Sequence, residues 1–101
     1  MFTATIYLLP PKTGEHFKPL PRSEWHTVLT INNENWSARL LFSGKPLPGD
    51  TFQATVQLLV PEAIHYFPVD AKFTVGERET KAIGRVLDYI SPPPVYLFGS
   101  E

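Results

Sequence analysis

The chain has 101 residues, 43% of them hydrophobic and 13% aromatic: enough for one folded domain, too few for two, and not the makeup of a disordered segment. Its formal net charge is −1 with no long run of one sign, so it lacks the basic balance that announces a nucleic-acid partner. With no cysteine it forms no disulfide or thiolate zinc site, and no stretch approaches the ~20 apolar residues of a membrane-spanning helix.

Phe2, Ala4, Ile6 and Leu8 alternate with Thr3, Thr5 and Tyr7, the period of a half-buried strand. Pro10-Pro11 end it. No basic leader precedes this apolar run, so a signal peptide is not expected and the chain reads as cytoplasmic. Lys12-Thr13-Gly14-Glu15 reads as a turn, and residues 15–24, with Pro19 and Pro21, as irregular. Trp25 to Ile31, rich in β-branched residues, forms a second expected strand. Asn32-Asn33-Glu34-Asn35 suits a hairpin loop, because Asn tolerates the left-handed region.

In the third expected strand Trp36, Ala38, Leu40 and Phe42 face one way and Ser37, Arg39 and Ser43 the other, up to Gly44. Lys45 to Asp50 crosses a corner, with Pro48-Gly49 fitting the centre of a type II turn and Asp50 free to accept backbone N–H bonds. Thr51 to Leu59 is the clearest strand: Phe52, Ala54, Val56 and Leu58 oppose Thr51, Gln53, Thr55 and Gln57. Pro61 stops it. A short fifth strand is expected to begin at Tyr66-Phe67, break at Pro68 and resume through Ala71, Phe73 and Val75. Gly76-Glu77-Arg78-Glu79 is a turn, and Lys81 to Ile90 a sixth strand in which Gly84 marks a bulge or a corner. No segment carries a clean 3.6-residue apolar period. Six short strands with corner prolines therefore argue for an all-β antiparallel barrel or sandwich.

The features that recur in order are Phe2-Thr3-Ala4, then Gly14, His16 and Pro19, then Arg22 and Trp25. Leu47-Pro48-Gly49-Asp50, Val56-Gln57-Leu58 to Pro61-Glu62-Ala63, and Phe73-Thr74-Val75 with Glu77 complete the set. Together, from Phe2 to Ile90, they resemble the C-terminal β-barrel of elongation factor Tu, the tRNA-carrying translation GTPase. The resemblance implies a six-stranded antiparallel Greek-key barrel over residues 1–90, followed by a proline-rich apolar tail, 91–101. It also implies a non-catalytic binding module, since the family's barrel contacts tRNA and the nucleotide-exchange factor. The partner-binding residues it points to are Arg22, Trp25, Arg39, Glu77 and Arg78.

The chain has no glycine loop followed by Lys and Ser/Thr, so nucleotide binding and hydrolysis are not expected. Where the family has a glutamine and paired glycines, this sequence has Glu24 and Glu79, carboxylates that repel a phosphate. A protein partner, related to translation, is therefore the first expectation. A tRNA or rRNA binder using Arg22, Arg39 and Arg78, with Lys12 and Lys18, is the alternative, and a small β-barrel enzyme the third.

Catalytic chemistry lacks its usual signals. His16, His26 and His65 have no zinc-motif spacing, and there is no Gly-x-Ser-x-Gly elbow. Glu77 and Glu79 read as solvated turn charges. No catalytic residue, metal or cofactor is assigned. Phe42, Phe52 and Phe73 read as core, and Trp25 and Trp36 as core or as a stacking platform. Val95-Tyr96-Leu97-Phe98 after the triple proline is expected to dock, on an edge or face of its own barrel or on another chain.

Overall fold

The computed structural model describes residues 1–11 and 23–90. The expected turn at 12–15, His16, Lys18, Arg22 and the tail 91–101 lie outside the described residues. Six strands form one closed antiparallel ring: β1 (Phe2–Leu8), β2 (Glu24–Ile31), β3 (Glu34–Leu41), β4 (Thr51–Leu58), β5 (Lys72–Val75) and β6 (Ala82–Tyr89). The ring runs β1-β4-β3-β2-β5-β6, so β1 lies beside β4 rather than β2. That return is a Greek key.

Period-two patterning built the ring. Phe2, Ala4, Ile6, Leu29, Leu40, Ala54, Val56, Val75 and Val86 are buried, while their neighbours along each strand look outward. Phe42 and Phe73 are buried, and Phe52 packs against the same core. In the lower half the Phe2 and Phe67 rings stack with centroids 5.3 Å apart, and Phe73 meets them edge-on at 6.1 and 5.7 Å. Such aromatic pairs add about 0.5–1.5 kcal/mol each beyond burial.

Turn chemistry fixes the register. Asn32 and Asn33 have φ of 51° and 65°, a two-residue hairpin turn of the primed kind that matches strand twist. At the corner Gly49 has φ 89°, Asp50 N donates to Leu47 O at 2.9 Å, and Asp50 Oδ2 accepts the Leu47 N–H at 2.9 Å. This is the expected type II turn with its aspartate as internal acceptor. Leu8 O accepts from Gly49 N, which ties the corner to the top of β1.

Three details differ from the sequence reading. Residues Pro61–Tyr66 form a 3-10 helix, and strand structure resumes only at Lys72. Phe67 is a plug rather than a strand residue: it follows the helix and is fully buried. The third strand ends at Leu41 rather than Gly44. Gly84 is neither bulge nor corner. It pairs with Phe73, whose ring lies where a Cβ would project. The bulge lies three residues further on in β6: Thr3 pairs with Asp88 and Ala4 with Val86, which leaves Leu87 as the extra residue.

The barrel has two unlike ends. At the upper end β1 finishes, β2 begins and the connections β3–β4 and β5–β6 lie, drawn together by Leu9 N to Lys81 O and Phe42 N to Ser23 O, both 3.0 Å. At the lower end lie Met1, the Asn32–Asn33 turn, the 59–71 connection and Ile90, whose N–H donates to Met1 O at 3.0 Å. No described helix is long and apolar enough to cross a membrane.

Candidate functional site

On the outer wall, β2, β3 and β4 present one row of polar side chains. Register makes the row: His26 stands opposite Arg39, and Arg39 opposite Gln57. Glu24, two residues before His26, points to the same face because strand side chains alternate. Arg39 Nη1 donates to Glu24 Oε2 at 2.9 Å. Its Nε and Nη2 both donate to Gln57 Oε1, at 3.1 and 2.5 Å. His26 Nε2 lies 3.1 Å from the same Glu24 oxygen. The hydrogen bond from His26 does most to hold the Glu24 carboxyl below the ordinary 4.5; desolvation pushes the other way, and the Arg39 guanidinium adds to the lowering.

Arginine has about five N–H donors in a planar fork. Here three are spoken for, which fixes the guanidinium against the wall and leaves its outer edge for another acceptor. The side chain of Arg39 is 38% exposed. Beside it an open depression of about 390 Å³ is lined by His26, Arg39, Gln57, Leu58, Leu59 and Pro61. Its polar end is the row just described. Its apolar end is Leu59, exposed by 69%, held at the strand exit where Leu59 N donates to Ser37 O. Such a surface can bind a mixed polar and apolar segment. The Glu24 carboxylate of the row is already engaged by two donors, and among the described residues no group of three His, Asp or Glu gathers to hold a metal.

The structure does not bring all the sequence-predicted partner residues onto one surface. Arg39 sits in the wall row. Trp25, paired with Leu40, points the opposite way and packs half-buried against the core. Glu77 and Arg78 are exposed in the β5–β6 turn at the upper end, and Gly76 N donates to Val28 O, so that turn adjoins β2. Arg22 lies outside the described residues. Trp36 is no open stacking platform: its ring stacks on Tyr66 at 5.2 Å and 27°, and its buried Nε1 finds no acceptor among the described residues.

His26, Gln57 and Leu59 were missed as site residues. Alternation alone places His26 and Gln57 outward, but only the register sets them beside Arg39. Leu59 follows the last inward residue of β4, so its exposure is legible once the strand's end is known.

No known protein-family model matches this sequence, and no curated protein matches it either.

Proposed function

We propose that this barrel is a non-catalytic protein-binding module, cytoplasmic and related to translation, that takes an extended segment of its partner along the β2–β3–β4 wall. The observation that carries the reading is the fixed Arg39 beside exposed Leu59 in one depression. A guanidinium held by Glu24 and Gln57 loses little side-chain freedom when an outside carboxylate or carbonyl meets it. Leu59 and Pro61 offer apolar area next to that polar anchor, the mixture usual at transient interfaces. The upper-end turn with Glu77 and Arg78 extends the available surface along β2. The resemblance to the elongation factor Tu barrel supports a partner from the translation machinery.

The charge argument favours protein over RNA. Arg39 is neutralised by Glu24, and the formal net charge of the chain is −1. A phosphate backbone would meet no concentrated cation field along this wall.

The test is affinity capture from lysate with the full chain and with Leu59→Asp and Arg39→Gln, recovering both protein and RNA. A partner protein retained by the wild type and lost with both variants supports the module. Recovery of tRNA or rRNA in a salt-sensitive way, equally with all three chains, overturns it.

A further inference from the structure

The lower end of the barrel carries an apolar patch that the wall site does not use. Met1, Tyr66, Val69, Leu87 and Tyr89 are exposed by 37–47%. Backbone contacts make them neighbours. Ile90 N to Met1 O joins Met1 to the end of β6. The Tyr89 hydroxyl donates to Phe67 O at 2.9 Å, next to Tyr66. Asp70 N donates to Val86 O at 2.9 Å, bringing Val69 alongside Leu87. A cluster of this kind, contiguous rather than scattered, is what a covering segment buries.

The chain itself supplies a segment. β6 delivers the backbone to Ile90 in the middle of this patch, and the sequence continues Ser91-Pro92-Pro93-Pro94-Val95-Tyr96-Leu97-Phe98. Four residues separate Ile90 from Val95, a tether of at most about 15 Å, so the four apolar residues begin within reach of the patch they would cover. So short a tether gives them a high effective concentration there, which a second chain in dilute solution does not match. Every strand of the ring already has a neighbour on both sides, so a covering segment must lie on a face rather than extend an edge.

We propose that residues 95–98 of the same chain cover the patch formed by Met1, Tyr66, Val69, Leu87 and Tyr89. The occupant is the molecule's own C-terminal segment, held by side-chain burial.

The test compares the full chain with its Leu97→Asp/Phe98→Asp variant by amide correlation NMR over a range of protein concentrations. The expected result is that the variant moves the resonances of the five patch residues and of the Trp36 indole N–H, independently of concentration. The melting temperature should fall by about 5 °C, the response of a domain this size to a modest loss of burial. Binding of a dye that reports apolar surface should rise. Unchanged patch resonances with an unchanged melting temperature would overturn the proposal. Shifts that appear only as concentration rises, with a dimer by light scattering, would overturn it in favour of a second copy.

Discussion

The Phe73 ring occupies the space over Gly84, where a Cβ would collide with it. The pair faces the core across β5 and β6, and glycine is needed for close approach rather than for a special backbone angle. Gly84→Ala should therefore destabilise the barrel by about 1–3 kcal/mol, as overpacking does, read as a lower urea midpoint with an unchanged slope. Adding Phe73→Leu should give back part of that loss, because the two changes share one space. The sequence revealed that Gly84 was special but not why, since the ring that claims its space comes from another strand. Asp50 was readable without help. Its bond to Leu47 N spans three residues, and such turn chemistry is local.

At the scale of elements, strands were legible because burial on one face writes a two-residue period into each. The 3-10 helix Pro61–Tyr66 was not, since six residues hold too few turns to show a period. Its role is to set Ala63 and Phe67, only 2% and 0% exposed, under the lower end. The wall row was half legible. Arg39 was visible as an outward cation, but its partners Glu24 and Gln57 stand 15 and 18 residues away and meet it only through register. That row has a pH signature. Glu24 is held below 4.5 in the folded chain, so its contribution is present above that value and is lost as pH falls through the folded one. Glu24→Gln removes the titrating group. The wild type should lose urea resistance below about pH 4.5 more steeply than the variant, measured by urea midpoints across a pH series.

At the scale of the molecule, closure depends on the most distant pairing in the chain, Phe2 opposite Tyr89. Counting six strands suggests a ring, but no local signal says that the first and last will meet; the resemblance supplied that expectation. Such a pairing is slow to find, because the loop must close before the contact rewards it. A circular permutant that joins Ile90 to Met1 through a short glycine linker and opens at exposed Gly44–Lys45 makes this pairing local. It should keep the β-type circular dichroism and refold faster than the natural order in stopped-flow mixing.

The hydrogen bond from Ile90 N to Met1 O means that the backbone enters and leaves the barrel through adjacent doors. The barrel could therefore be spliced into a host polypeptide at a single exposed loop, with little separation forced on the host's flanking strands. The ring becomes a portable cassette, and the wall around Arg39 would travel with it.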